Sequence, residues 1–293
     1  MKKAVWPYLA AIVLFALMLA LPFGSIISLQ FVPGSPDSVT PMALDKALHA
    51  LQEPSGHYPL WQPWTFCGMP TVGAFSYLSG LYLPNVVFDF LHLDPMHIQL
   101  LHLVFAGLGC FVLARHLGLG STAALLAGSA FMLNPYMTAM LAYGHGSQLM
   151  TAAYMPWVLW AALRLAERGG FADAGLLALM LGLQLQRAHV QIAWYTWMLA
   201  VPLLIVKILV EKKKGGSTIK TSGLALAALV LGVAIALQVY LPVLGYLPFS
   251  ARGGAGDAAE AYRYATMWSM HPAELLTYLL PGAYGFGGVT YWG

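Results

Sequence analysis

Long apolar runs separated by short polar breaks organise this chain. A run of about 20 apolar residues crosses a bilayer as a helix, and the runs at 4–28, 95–116, 121–142, 147–166, 171–187, 189–210 and 222–245 predict seven such helices. The stretch 171–210 shows why adjacent runs are divided. As one helix, at about 1.5 Å per residue, it would reach about 60 Å, twice the hydrocarbon thickness. A turn is therefore predicted near Gln186-Arg187-Ala188-His189. No internal repeat or low-complexity tract interrupts the pattern.

The polar stretch 30–94 has a pattern of its own. Thr40 as a cap, with Pro41 as the first helical residue, predicts a helix over 41–52. Leu44, Leu48 and Leu51 would share one face and Asp45, His49 and Gln52 another, the layout of a helix lying flat on a membrane surface. Pro59, Trp61, Pro63, Trp64 and Gly68-Met69-Pro70 predict a stiff aromatic loop. The apolar run 75–91 is broken at Pro84-Asn85 and is read as a re-entrant or interfacial segment, since counting it as a span would invert every later loop. The last stretch, 246–293, is cut by Pro248, Gly253-Gly254, Pro272, Pro281 and Gly287-Gly288 and is too short and interrupted to bury a core of its own. It is expected to begin a longer region.

Composition agrees with the pattern. Charged residues make up 9% of the chain and hydrophobic ones 59%, whereas soluble domains carry about a quarter charged residues. Lipid is thus the solvent for most of the molecule, and the scattered basic residues exclude nucleic acid as a partner. The opening Met1-Lys2-Lys3 and its long apolar run lack an A-x-A site and exceed a signal-peptide core, which predicts an uncleaved first helix. Cys67 falls in a polar loop and Cys110 in an apolar run, so two free thiols are expected.

Charge changes the picture by orienting the spans. With the N-terminus cytoplasmic, Lys2, Lys3, Arg115, Arg164, Arg168, Lys207, Lys212, Lys213, Lys214 and Lys220 fall inside, leaving Lys46, Arg187, Arg252 and Arg263 outside. The outer side then receives the loop 30–94, the tips Tyr143-Gly144-His145-Gly146-Ser147-Gln148 and Gln186 to Gln191, and the segment 246–293.

Candidate chemistry gathers there. Asp37 follows the first span in a loop stiffened by Pro33 and Pro36, where a carboxylate can take a proton from an incoming hydroxyl. A solvated loop aspartate would look the same. His57, His145, His189 and His271 lack the short spacing of metal ligands, so interfacial hydrogen bonding is the plainer role. Gln184, Gln186, Arg187, His189 and Gln191 form a polar tip between two apolar spans, costly unless it lines a watery cavity. The forked donors of Arg187 suit a phosphate. Trp61, Trp64, Trp157, Trp160, Trp194, Trp197, Trp268 and Trp292 fit an aromatic belt and are compatible with sugar stacking.

In order along the chain, Pro36-Asp37-Ser38 with Pro41, Gly68-Met69-Pro70, Tyr82-Leu83-Pro84-Asn85, Tyr143-Gly144-His145, Pro156-Trp157, His189-Val190-Gln191 with Tyr195, Trp268, His271-Pro272 and Glu274-Leu275-Leu276 resemble the YfhO family of bacterial membrane proteins. Pro281, Gly285-Phe286 and Tyr291-Trp292-Gly293 continue the likeness. That family belongs with the polytopic GT-C glycosyltransferases. The resemblance implies an all-α integral membrane protein, a GT-C-like helix bundle in the bacterial cytoplasmic membrane. Its implied activity moves a sugar from a polyprenyl-phosphate donor to an envelope glycan, lipid or protein on the outer side. It assigns Asp37 as general base and makes Arg187, His189, Gln191, His145, His271, Glu274, Arg252, Arg263 and Trp64 candidates for binding phosphate or sugar. No cofactor is required, although a divalent cation is compatible. Two departures stand out: Ala188-His189-Val190-Gln191 occupies the place of Gly-His-Pro-Gln, and Asp37 lacks the adjacent acidic partner of many relatives. A lipid-linked glycan flippase and a non-catalytic envelope-assembly protein are the competing readings.

Overall fold

The computed structural model describes residues 5–31, 34–57, 59–74, 79–212, 217–250, 258–267 and 269–285. They fall into two units, residues 1–244 and 245–293.

The first unit is a bundle of helices. Helix α1 (Trp6–Ile27) is followed by α2 (Pro36–Ser55), a short α3 (Asn85–Phe90) and α4 (Pro95–His116). Then come α5 (Ser121–Met132), α6 (Pro135–Ala142), α7 (Gly146–Ala153), α8 (Met155–Arg168), α9 (Phe171–Gln186), α10 (Val190–Lys212) and α11 (Thr218–Tyr246). Six helical stretches, Trp6–Ile27, Pro95–His116, Ser121–Ala142, Gly146–Arg168, Val190–Lys212 and Thr218–Phe249, are long and apolar enough to cross a membrane. Together they make the molecule a polytopic helical membrane protein. The seventh expected span, α9, has 16 residues and is apolar but shorter.

Two of the expected spans are broken by prolines. Asn134 ends the α5 run and caps α6, its Oδ1 accepting from Met137 N at 2.9 Å, with Pro135 in the first position of α6. Pro156 sits near the start of α8, and the ladder gives way at Tyr154.

Helix α4 packs against α1, α5, α7 and α8, and α8 against α9 and α10, so these two helices form the spine. Glycine sets the closest approaches. A Cβ on Gly128 of α5 would stand 2.6 Å from the carbonyl oxygen of Gly107 and 2.5 Å from the Phe15 ring. One on Gly182 of α9 would stand 2.6 Å from Ile235 of α11. Around these crossings lie two apolar clusters, one built on Phe15, Leu103, Phe111 and Met132, the other on Leu165, Leu177, Leu181 and Leu204.

The stretch between α1 and α4 differs from expectation at one boundary. Helix α2 starts at Pro36, not Pro41, so Asp37 is a first-turn helical residue and Thr40 caps nothing. The Ser35-Pro36 pair offers the same cap-plus-proline signal as Thr40-Pro41, and Val39 N already bonds Ser35 O at 3.0 Å. Leu48 is fully buried and Leu44 half-buried, while Leu51 is exposed. Trp61–Gln62 and Met69–Pro70 pair as two short antiparallel strands, with the Trp61 ring lying over Gly68. Within the run 75–91, residues 75–78 lie outside the description, and α3 is six residues long, too short to cross a bilayer.

The second unit holds a helix α12 (Ala258–Thr266) and a 3-10 turn over Pro272–Tyr278. None of its described side chains is buried, in keeping with its interrupted sequence.

Candidate polar site at one end of the bundle

At one end of the first unit the turn between α6 and α7 meets the start of α2, and the start of α4 meets the end of α1. Three hydrogen bonds and ion pairs establish this. Ser35 Oγ donates to Tyr143 O at 2.7 Å, His97 Nε2 lies 2.8 Å from Ile27 O, and His145 Nε2 lies 3.6 Å from Asp37 Oδ2. Asp37 and His145, 108 residues apart in sequence, thus meet at a solvent-open position, their side chains 65% and 39% exposed. The first-turn location also favours the carboxylate of Asp37, since helix N-termini carry partial positive charge.

His189 stands beside this pair. Burial, and then the neighbouring His145, hold its imidazole below the ordinary histidine range. Ala188, which precedes it, takes a left-handed φ of 60°, where glycine would sit without strain. Gln191 is exposed and donates to the Tyr195 hydroxyl at 2.7 Å.

Arg187, half-buried, faces inward from the same turn and lies over the ring of Tyr82, 4.5 Å from its centre. Among the described residues its Nε finds no hydrogen-bond partner and no carboxylate pairs with it. Below it runs a chain of hydrogen bonds that sequence reading missed. His102 Nδ1 lies 2.7 Å from Ile98 O, so it carries the proton and donates to that carbonyl. In the neutral ring Nε2 must then accept, and Tyr82 OH donates to it at 2.8 Å. Tyr154 OH in turn donates to Tyr82. Tyr82, His102 and Tyr154 are all nearly fully buried, and together with Phe88, Phe105 and Met180 they border a cavity of about 390 Å³.

Glutamines from α9 and α11 hold the loop that carries Tyr82. Gln186 Oε1 accepts from Leu83 N at 3.1 Å while its Nε2 donates to Ile235 O at 2.9 Å. Gln238 Nε2 donates to Leu81 O at 2.9 Å. The polar tip predicted around Gln184 to Gln191 is therefore partly structural: Gln186 clamps the Tyr82 loop, and Gln184 Nε2 donates to Thr151 O at 3.2 Å and to Thr196 Oγ1 at 2.8 Å.

The remaining predicted residues take other places. Trp64 is half exposed beside the strand pair. In the second unit His271 and Glu274 cap a turn, with His271 N donating to Glu274 Oε1 at 3.1 Å and His271 Nδ1 accepting from Ala273 N at 3.2 Å. Arg263 is exposed on α12, and Arg252 lies outside the described residues. Among the described residues no three His, Cys, Asp or Glu side chains converge as a metal site.

Comparison with protein-family models, curated proteins and solved structures finds no match to this chain.

Proposed function

We propose that the chain is a membrane glycosyltransferase of the GT-C type, taking a sugar from a polyprenyl-phosphate carrier and delivering it to an envelope acceptor on the non-cytoplasmic side, with Asp37 as general base. The observation that carries this reading is the meeting of Asp37 with His145, beside His189, whose turn also carries Arg187. A carboxylate at an open edge can accept the acceptor's proton. As that oxygen bonds to C1 of the sugar, the bond from C1 to the phosphate oxygen breaks and the electron pair leaves with the lipid phosphate. Phosphate leaves readily without a general acid. The guanidinium of Arg187, uncompensated by any described carboxylate, offsets the charge that develops on it. His145, 3.6 Å from the carboxylate, orients it.

The test is turnover by the purified full-length protein with polyprenyl-phosphate sugars, following release of the lipid phosphate. Asp37→Asn keeps the shape and removes the basicity, and release should fall at least about a hundredfold, the scale of a lost general base. Wild-type turnover in that variant would remove Asp37 from the reaction. If the wild-type protein releases no lipid phosphate from any donor, yet moves a lipid-linked sugar across vesicles, the flippase reading replaces this one.

A further inference from the structure

The opposite end of the bundle holds a second concave site that the proposed transferase chemistry does not use. It has a volume of about 490 Å³ and is framed by Arg115 and His116 at the end of α4, Trp157 and Trp160 on α8, and Arg164 and Arg168 in the last turns of α8. Tyr8 of α1 closes one side.

Its polar groups differ in how far they are already engaged. Arg164 is committed, with Nε and one terminal nitrogen 2.9 and 2.7 Å from Oδ1 of the buried Asp173, and its guanidinium lies 4.9 Å from the Trp160 ring centre. Glu167 is turned toward Lys207, 2.8 Å away. His116 Nε2, 3.1 Å from Glu167 Oε2, lacks the alignment of a hydrogen bond to it and is otherwise without a partner among the described residues. Arg115 spends one donor on Leu119 O at 2.7 Å and keeps the rest. Arg168 is exposed, and no described carboxylate pairs with Arg115 or Arg168. No carboxylate is among the described residues lining the hollow. Its floor is rigid. Trp157 is stacked on Phe105 with ring centres 5.0 Å apart, donates to Phe105 O at 2.8 Å and abuts Gly109, where a Cβ would come within 2.5 Å of the indole nitrogen.

The charge bias that orients membrane helices explains why arginines lie at this end. It does not require them to converge on one hollow with two tryptophans. Arginines without carboxylate partners, at helix ends where the apolar spans stop, suit an ester phosphate, whose oxygens accept the forked donors. We propose that this hollow binds the phosphate of an anionic headgroup, with Arg115 and Arg168 as the contacting cations. The same chemistry could be met by an anionic lipid or by a free phosphate ester. The inference is independent of the transferase reading.

The experiment uses the full chain in detergent. Dioctanoyl phosphatidylglycerol, glycerol phosphate and inorganic phosphate are titrated by calorimetry, and native mass spectrometry counts the bound molecules. Binding by the lipid alone assigns a lipid headgroup, and equal binding by glycerol phosphate assigns a free ester; either supports the site. The double variant Arg115→Gln with Arg168→Gln should weaken binding at least about tenfold. Because losing two charges can also disturb insertion, Val112→Trp provides a second variant that fills the hollow with every charge in place. It should weaken binding by at least as much. Wild-type affinity in either variant, with an unchanged thermal transition, overturns the proposal, as does the absence of binding by all three probes to the unaltered protein.

Discussion

One phenol, Tyr82, carries more of the interior than its place in a loop suggests. It donates to His102, accepts from Tyr154 and offers its ring face to Arg187. The direction of this chain follows from a single carbonyl, Ile98 O, which requires the proton on Nδ1 of His102. That direction makes two conservative substitutions unequal. Tyr82→Phe strands two buried groups, the Nε2 acceptor of His102 and the donor of Tyr154. An unsatisfied buried group costs about 1–3 kcal/mol. Tyr154→Phe removes one donor to an oxygen whose own proton stays engaged, and should cost less than about 1 kcal/mol. Thermal unfolding in detergent should therefore rank Tyr82→Phe well below Tyr154→Phe. Equal transitions would show that the direction deduced here is wrong.

At the scale of helices, small residues decide how closely the spans approach. Gly107 and Gly128 let α4 and α5 meet backbone to backbone, with Phe15 of α1 filling the space beside them. Gly128→Val places branched carbons where a carbonyl oxygen already stands within 2.6 Å of the Cβ position. Overpacking of this kind costs about 1–3 kcal/mol. The expected outcome is a lower thermal transition, while Gly175→Ala on α9, with open space around it, should raise the transition slightly through helix propensity.

The apolar helices were legible because run length is a local property, and the division of 171–210 at Gln186 to His189 follows from length alone, whereas the breaks before Pro135 and Pro156 were not read. The start of α2 was misplaced because two Ser/Thr-Pro pairs five residues apart carry the same signal. The candidate site was legible only as separate pieces. Asp37 and His145 could be chosen for their loops, but their contact depends on how α2 docks against the turn between α6 and α7. His102 was invisible as part of a buried chain, since Tyr82 and Tyr154 lie 20 and 52 residues away from it in sequence, and an isolated histidine in an apolar span does not announce a network.

Across the whole first unit, the two ends differ in kind. One carries the ion pairs of Arg164 with Asp173 and of Lys207 with Glu167, beside Arg115 and Arg168; the other carries Asp37, His145, His189 and the inward-facing Arg187. Between them runs a column of touching rings, Tyr82, His102, Tyr154, Phe105, Trp157 and Trp160, with an arginine against each terminal ring.

Helix α9 connects the same two ends, from Asp173 beside Arg164 to Gln186 beside Leu83, in 16 residues. At about 1.5 Å per residue it measures about 24 Å, against a hydrocarbon layer of about 30 Å. For a spanning α9 the difference is met by local thinning of the bilayer, by snorkelling of flanking residues or by association, and Phe171 and Leu179 are exposed on this helix. Such hydrophobic mismatch costs fractions of a kcal/mol per Å and is enough to sort proteins between membranes of different thickness. Reconstituted in phosphatidylcholines of increasing acyl length, the protein should be most stable to heat in the shorter lipids and lose stability steadily as the chains lengthen. A flat response across the series would mean that α9 tolerates any bilayer; a falling one would make membrane thickness itself a selector of where this protein resides.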